Sequence, residues 1–467
     1  KLEDNILKLD NDNGIYAEDA TTGGLLTQIG VGVTTKQVAT NFLTVITQSS
    51  AEAAIAIGSV STLTAGNLYS ISSLSDLNKL ASLVNSGQAS NCTFILTGDI
   101  DMANSPGYIP IGTDEHKFMG TFYGNGHVIS NVSISQSGTS GVGIFGVTGN
   151  TARILDLGVE NATVSGKDYT GVIVGNSAGT ITNCYVKGNV NVNGNSYVGA
   201  ITGQATNTIA SSYTSGNINI NGSGYVGGLA GYINNTVRNS FVQDVNVTSS
   251  SGKAGGFTGV FGSAASYDKI SIKGTINVSG SNCIGGYVGA SDISLSNLNA
   301  NVTGTVKATS GYAGGIAGSI TSSRTISNCN ATMSITGSGG NYVGGIVGYA
   351  NSGTISQCSY NGTITATDTR NVGGIAGVAG TISQSSYNGT ITATGTDYVG
   401  GIAGASASVI TDCTASGMIN ASGNCGSIGG IIGSISHGNV TNCNSNMNIN
   451  NSGTGDYIGG LIGQLDS

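Results

Sequence analysis

Carboxylates and a histidine, the side chains most often used for metal and acid–base chemistry, cluster near residue 100 of this 467-residue chain. Asp99 and Asp101 alternate along one predicted strand, so both carboxylates face the same side, where their oxygens could bind calcium. Residues 114–117 (DEHK) add a second charged group. A solvated strand face is the simpler explanation, and calcium binding is the weaker alternative.

Other catalytic constellations are missing from the sequence. His116, His127 and His437 are isolated, and the HExxH signature of zinc proteases is absent. Cleavage of a glycosidic bond needs two carboxylates within several ångströms, whereas Asp368 and Asp397 come singly. We therefore expect no enzymatic activity and no cofactor, and a polysaccharide lyase is the least favoured function.

Tyrosines are the strongest binding candidates because they recur at one position of a repeat. Tyr169, Tyr197 and Tyr225 occupy it in three consecutive copies, and Tyr312 and Tyr342 in two more. An external row of aromatic rings would suit the faces of sugars. Alternatively, the rings stack on one another and simply cover a turn.

The repeat that positions these tyrosines is a short glycine phrase. It reads YVGGLAG at 225–231, YAGGIAG at 312–318, YVGGIVG at 342–348 and YVGGIAG at 398–404. Degenerate copies bring the total to twelve, and successive copies lie 27–30 residues apart. A pitch this regular predicts a solenoid.

Within one copy, three runs alternate apolar residues with polar or small ones: TISQCSY, GTITATD and VGGIAG. This is the period of a strand with one buried face, and turn-forming residues separate the runs. We therefore predict an all-β fold, a right-handed parallel β-helix of about 12 coils with three strands per coil. Ile355 should stack on Ile382, and Ile364 on Ile391.

The composition excludes several classes of protein. Glycine accounts for 78 residues and proline for only 2, without the every-third-residue glycine of collagen. Hydrophobic residues make up 38% and charged residues 8%, which argues against disorder. The net charge of −8, with scattered basic residues, argues against nucleic acid as a partner. No apolar run is long enough to span a membrane.

Five of the eight cysteines share one position of the repeat: Cys184, Cys329, Cys358, Cys413 and Cys443. Other copies place serine or leucine there, which indicates a small inward-facing position. Side chains stacked in parallel have the wrong mutual orientation for a disulfide. We expect reduced, buried thiols.

Three regions follow from these patterns. Residues 1–65 form a partly helical segment of assembly or linker type, residues 66–140 the N-terminal cap with the first coils, and residues 141–467 the repeats. Helices are predicted over 36–57 and 72–84. The sequence stops directly after the twelfth copy, where open strand edges would invite pairing. We expect a continuation of the natural protein, or a partner such as a second copy, to cover them.

The repeat resembles the GLUG motif family, and the resemblance covers about 141–463. The upstream segments LTGDIDM (96–102), IPIGT (109–113) and FMGTFYGNGHVISNVSI (118–134) are similar to the lead-in of such proteins. Members are large bacterial surface or secreted proteins. They include adhesin-like proteins and the non-catalytic N-terminal region of immunoglobulin-A-cleaving metalloproteases.

The resemblance implies a right-handed β-helix that serves as a scaffold or binding surface, without catalytic residues in the repeat. We therefore expect an extracellular or cell-surface module, an adhesin or stalk that binds host glycans or proteins or presents another domain. Two alternatives stay open: a subunit or decorating domain of an extracellular filament, and the accessory N-terminal region of a secreted metalloprotease.

Overall fold

A computed structural model shows that the chain is a β-solenoid of about 13 turns, built almost entirely from parallel strands. The structure describes residues 5–10, 14–19, 25–30, 54–88, 91–103, 105, 107–340, 342–436 and 438–466. Each strand is hydrogen-bonded to its equivalents one turn before and one turn after. The predicted parallel solenoid is confirmed.

The solenoid strands form four sheets, numbered I to IV in the order in which the chain enters them within a turn. Sheet I contains Tyr197–Gly199, Tyr225–Gly227, Lys253–Gly255, Cys283–Gly285, Tyr312–Gly314, Tyr342–Gly344, Asn371–Gly373, Tyr398–Gly400, Asn424–Gly429 and Thr454–Gly459. Sheet II contains Phe145–Thr148, Val174–Ser177, Thr202–Ala205, Ala230–Ile233, Thr258–Phe261, Val288–Ser291, Leu295–Ser296, Ala317–Ile320, Thr325–Ser327, Val347–Ser356, Ala376–Ser383, Ala403–Thr411, Ile432–Ser436, Asn439–Thr441 and Ile462–Asp466.

The other two sheets differ in strand length. Sheet III contains Ile55–Ala56, Leu68–Ile71, Thr93–Leu96, Thr121–Tyr123, Arg153–Leu155, Thr180–Thr182, Ile209–Ala210, Thr236–Arg238 and Ser266–Asp268. Sheet IV contains Ile100–Asp101, Val128–Ser135, Gly158–Ser165, Tyr185–Asn193, Tyr213–Gly222, Phe241–Ser249, Ser271–Gly280, Asn299–Ala300, Thr303–Ala308, Asn330–Ala331, Ser334–Ser338, Ser359–Tyr360, Thr363–Thr367, Ser386–Thr394, Thr414–Ser422 and Asn444–Asn451. From Leu295 onward, the strands that continue sheet III are paired within sheet II.

The glycine phrase, predicted as one strand, is divided between sheets I and II at its second glycine. In one turn the first strand ends at Gly227 and the second begins at Ala230. A Cβ on Gly228 would lie 2.1 Å from the carbonyl oxygen of Gly256 in the next turn, and a Cβ on Gly227 would lie 2.2 Å from that of Ala230. Close backbone approach therefore requires the glycine pair, and neither glycine has a positive φ.

The core consists of identical side chains stacked in columns. Ile355 pairs with Ile382 and Ile364 with Ile391, as predicted, and all four are at most 1% exposed. Because strand pairing holds equivalent residues about 4.8 Å apart, every aliphatic side chain contacts its copies above and below. Register and burial therefore reinforce each other.

A left-handed residue turns the chain into sheet IV in eleven successive turns. These residues have φ between 47° and 57°: Asp156, Asn183, Ser211, Asn239, Lys269, Asn297, Asn328, Gln357, Gln384, Asp412 and Asn442. Asparagine and aspartate tolerate this conformation better than most other residues. The residue that follows each left-handed residue occupies the predicted inward position, which is a cysteine in five of these turns. All eight cysteines of the chain are free thiols.

A short helix, α1 (Leu74–Asn85), lies at the N-terminal end of the solenoid and corresponds to the helix predicted over 72–84. Its N-cap residue, Ser73, accepts a hydrogen bond from the backbone N–H of Asp76. The buried residues Leu77 and Leu80 belong to the same hydrophobic core as the aliphatic columns. The helix therefore covers apolar side chains that the first turns would otherwise expose.

The structure differs from the sequence prediction closer to the N-terminus. Residues 36–53 of the helix predicted over 36–57 lie outside the described residues, but Ile55–Ala56 is a strand and Ile57–Ser59 a short 3-10 helix. Pairing of Ile55 with Tyr69 in sheet III favours the extended conformation there. The segment predicted to be partly helical also contains an antiparallel sheet, formed by Asn5–Asp10, Gly14–Asp19 and Leu25–Gly30.

The glycine corner yields a stability prediction. We expect Gly228→Ala to lower the free energy of unfolding by about 1–3 kcal/mol, because the new methyl group meets a carbonyl oxygen of the adjacent turn. Gly138→Ala is the matched control, since no atom lies within 4 Å of its added Cβ and its φ is not positive. Urea unfolding followed by circular dichroism measures both variants, and equal stabilities would contradict this explanation of the glycine pair.

Buried acidic groups predict a loss of stability in alkali. Burial raises the pKa of the Cys184 thiol from 9.0, and that of the Tyr123 phenol from 10.0, to about 12. Both groups lose their protons more readily in the unfolded chain than in the folded one. The free energy of unfolding is therefore highest below about pH 9 and decreases as the pH rises towards about 12.

The urea midpoint should therefore decrease between about pH 9 and pH 12. Cys184→Ser is well suited as a control, because Ser212 and Ser240 occupy the same position in the next two turns. This variant should lose less stability between about pH 9 and pH 10 than the parent chain. A urea midpoint that stays constant up to about pH 12 would contradict the prediction.

Candidate functional site

The outward side chains of sheets I and II converge at the glycine corner. Tyr225 lies on sheet I and Tyr232 on sheet II, yet their ring centroids are 6.2 Å apart. Further along, the Ser319 hydroxyl donates a hydrogen bond to the Cys283 thiol at 3.3 Å. Outward side chains diverge at a convex corner, so these contacts show that this corner is concave. We call it the concave corner.

Four tyrosines at one part of this corner form the first tyrosine group: Tyr169, Tyr197, Tyr225 and Tyr232. The rings of Tyr169 and Tyr197 are stacked, with centroids 4.8 Å apart and planes 3° apart. Tyr225 meets Tyr197 edge-on at 5.3 Å. Each ring is partly exposed.

Three more tyrosines form the second tyrosine group: Tyr312, Tyr342 and Tyr349. Their centroids are 5.0–5.3 Å apart, and their planes lie within 11–17° of each other. Tyr349 extends from sheet II and contacts both rings of sheet I. The two sheets therefore build this group together.

An apolar segment joins the two tyrosine groups. Val260, Cys283 and Ala290 point away from the main core, yet they are only 3–5% exposed. The rings of Tyr225 and Tyr312 pack against this small cluster, which is separate from the main core. The concave corner thus has an apolar floor between two aromatic groups.

The tyrosine hydroxyls are among the polar groups that this corner offers to a ligand, beside the amino group of Lys253. Stacking uses most of the ring faces, which leaves ring edges and hydroxyls towards solvent. Burial is the main cause that raises the pKa of Tyr197, Tyr232 and Tyr312. These phenols are therefore neutral at physiological pH and can both donate and accept hydrogen bonds.

The structure brings the five predicted tyrosines together in two sets rather than one row. Lys253 and Cys283 occupy the same column between Tyr225 and Tyr312. Sequence reasoning did not find Tyr232 and Tyr349, which approach from the other sheet. The available signal is that each follows its glycine phrase directly, as in YVGGLAGY and YVGGIVGY.

The two carboxylates proposed as calcium ligands are engaged by the next turn. The Asp99 carboxylate accepts a hydrogen bond from the backbone N–H of Val128 at 3.0 Å and lies 3.1 Å from His127 Nδ1. Asp101 accepts one from the Asn131 side chain at 3.0 Å. These hydrogen bonds lower the pKa of both carboxyl groups. Across the described residues no three metal-binding side chains converge, and calcium binding stays a prediction of the sequence.

The remaining predicted residues do not assemble into a second site. His116 Nε2 lies 3.9 Å from an oxygen of Glu115, and His437 lies outside the described residues. Among the helices that the structure describes, none has the length and apolar character needed to cross a membrane.

Comparisons with known proteins find partial similarity. No protein-family model matches the chain. It is 38% identical over 138 residues to halomucin from Haloquadratum walsbyi. The matched segment covers 27% of this chain and 2% of halomucin. It is also 32% identical over 102 residues to an Evansella cellulosilytica protein that is named as a Gly-rich membrane protein. Here the matched segment covers 20% of this chain and 12% of that protein.

A solved structure from Bacteroides ovatus, named as an immunoglobulin A1 protease, aligns with 64% of this chain and 76% of its own. Its identity to this chain is 22% and the TM-score is 0.34. The chain spans only a small part of the two curated relatives. It is therefore similar to segments of longer proteins.

Proposed function

We propose that this chain is a non-catalytic extracellular module that binds neutral glycans at the concave corner, as an adhesin or stalk would. The observation that carries the proposal is the pair of tyrosine groups on either side of an apolar floor. The resemblance of the repeat to the GLUG motif family supports an extracellular location. So do the names of two relatives, halomucin and a Gly-rich membrane protein.

The dimensions of the corner fit a short oligosaccharide. Tyr225 and Tyr312 are three turns apart, a distance of about 14 Å at the usual spacing of paired strands. Sugars combine apolar C–H faces with many hydroxyls, which match the partly exposed rings and neutral hydroxyls of the tyrosines. The apolar floor is 3–5% exposed and supports the rings from beneath. Lys253, 5.2 Å from the Tyr225 ring, contributes a positive charge at one edge.

A binding role is favoured over catalysis because the nearby carboxylate is held in place. Asp168, next to the first tyrosine group, accepts hydrogen bonds from the hydroxyl of Ser196 at 2.5 Å and from its backbone N–H at 3.3 Å. A carboxylate held in this way supports the adjacent turn. A second carboxylate, that of Asp292, lies near Tyr232 but four turns from Asp168, roughly 19 Å at the usual spacing of paired strands. Two carboxylates that cleave one glycosidic bond must lie within about 10 Å of each other.

The glycan proposal is tested by replacing two tyrosines of the second group. Tyr312→Ala combined with Tyr349→Ala should weaken binding to neutral oligosaccharides roughly tenfold, because aromatic contacts contribute about 0.5–1.5 kcal/mol each. A glycan array identifies the ligand and calorimetry measures the affinity. Tyr213→Ala is the matched control, since its ring stacks on Tyr185 and Phe241 in sheet IV. Unchanged affinity, or an array without neutral ligands, would contradict the proposal.

A subunit or decorating domain of an extracellular filament is a second candidate, which the sequence leaves open. An accessory region of a secreted metalloprotease is a third candidate, for which the full open reading frame provides the test.

Negative-stain microscopy distinguishes a filament from a monomeric module. If copies associate through the last turn, particles should lengthen as the protein concentration rises, and Leu465→Asp should shorten them. Ile109→Asp is the control, because Ile109 is an apolar side chain near the N-terminal end that is 60% exposed. Rods of one length at every concentration would exclude the filament.

A further inference from the structure

The outer surface of sheet IV carries two columns of side chains on either side of a buried valine and isoleucine column. The first column is Thr163, Asn191, Asn219, Asn246, Asn277, Thr305, Ser334, Thr363, Thr390, Met418 and Asn448. The second is Ser165, Asn193, Asn221, Thr248, Ser279, Lys307, Thr336, Thr365, Thr392, Asn420 and Asn450. We call these two columns the lattice face.

The composition of the lattice face is unusually uniform. Of its 22 residues, 20 are serine, threonine or asparagine, and Lys307 and Met418 are the two exceptions. The concave corner, by contrast, is rich in tyrosine. One charge among 22 residues makes this face a poor match for an ionic partner and a good match for a neutral one.

Hydrogen bonds between turns hold these side chains in place. The amide of Asn246 donates to Asn219 at 3.0 Å, and that of Asn277 donates to Asn246 at 2.9 Å. The Thr363 hydroxyl donates to that of Ser334 at 3.2 Å. An amide has two donors and two acceptor positions, so Asn219 and Asn246 each keep one of each for solvent, whereas the Asn277 oxygen accepts both the hydroxyl and the backbone N–H of Thr305. The lattice face is thus a preorganised set of donors and acceptors.

The spacing of these groups repeats in two directions. Neighbouring turns are about 4.8 Å apart, and the two columns are about 6.7 Å apart because they are separated by two residues of a strand. Eleven turns give a length of about 50 Å. A partner can use all of these groups together only if it is itself periodic in two dimensions. The spacing between turns is close to the oxygen repeat along the a axis of hexagonal ice.

We propose that the lattice face binds the surface of ice. Water molecules held by the side-chain donors and acceptors would lie at regular intervals and join the oxygen layer of a growing crystal. Water-mediated hydrogen bonds are nearly as favourable as direct ones, and rigid side chains reduce the ordering cost. Ice is neutral, so it does not require a charged side chain to lose its hydration shell.

The most regular part of the face is a threonine patch formed by two consecutive turns. Thr363, Thr365, Thr390 and Thr392 project from the repeated segment SYNGTITAT, and each is exposed or partly exposed. Thr363 pairs with Thr390, and Thr365 with Thr392. The patch presents methyl and hydroxyl groups at all four corners of one lattice cell.

Bulky substitutions within this patch test the proposal. The purified chain should shape ice crystals, separate their melting and freezing temperatures, and enter a slowly growing ice hemisphere. Thr365→Tyr combined with Thr392→Tyr should abolish these effects, because the rings interrupt the array. Tyrosine is favoured in strands, so the fold should persist, and circular dichroism checks this. Thr381→Tyr, on the outer side of sheet II, is the matched control and should retain ice binding.

The outcomes are distinguishable. Exclusion of the parent chain from ice, as for an ordinary globular protein, would overturn the proposal. Ice activity that survives in the double variant would assign it to another surface and equally overturn it. Adsorption to crystalline cellulose or chitin without ice activity would identify the lattice as a polysaccharide surface instead. Glycan binding at the concave corner is independent of all three results.

Discussion

The distance between paired parallel strands is the constraint on which the rest of this structure depends. Each turn finds its hydrogen-bonding partners in the turns above and below, so 27–30 residues must return the chain to the same position about 4.8 Å along the axis. The glycine pair permits this return where the backbones come closest. The left-handed residue before sheet IV performs a similar function at another corner. Both features are explained by the distance between successive turns and do not require a ligand.

The same distance has different consequences for different side chains. Aliphatic groups form a continuous core, aromatic rings stack, and amides form ladders. Like charges would repel by roughly 1 kcal/mol per pair even in a water-like environment, which accounts for the low charge content of the repeats. Where a carboxylate occurs, the next turn can supply a neutral donor: Asn183 donates to Asp156, and Asn442 to Asp412 at 3.2 Å.

The sequence was sufficient to predict most features that local patterns encode, but not the division of the glycine phrase between sheets I and II. The period, the inward columns such as Ile355 above Ile382, and helix α1 all follow from local patterns. The concave corner was not predictable, because the angle between sheets I and II decides whether Tyr232 approaches Tyr225. Alternation of residues within a strand shows which side chains point outward. It does not show which outward side chains meet.

Stacking in register also determines how such a surface can change during evolution. A whole turn contacts only its two neighbours, so duplicating one adds a row to every column without disturbing the others. The two copies of SYNGTITAT, 27 residues apart, have the pattern that such a duplication leaves. The lattice face and the concave corner then lengthen together, in steps of one turn. The extent of each surface is therefore inherited in discrete units, and relatives with different numbers of turns would differ in avidity more than in specificity.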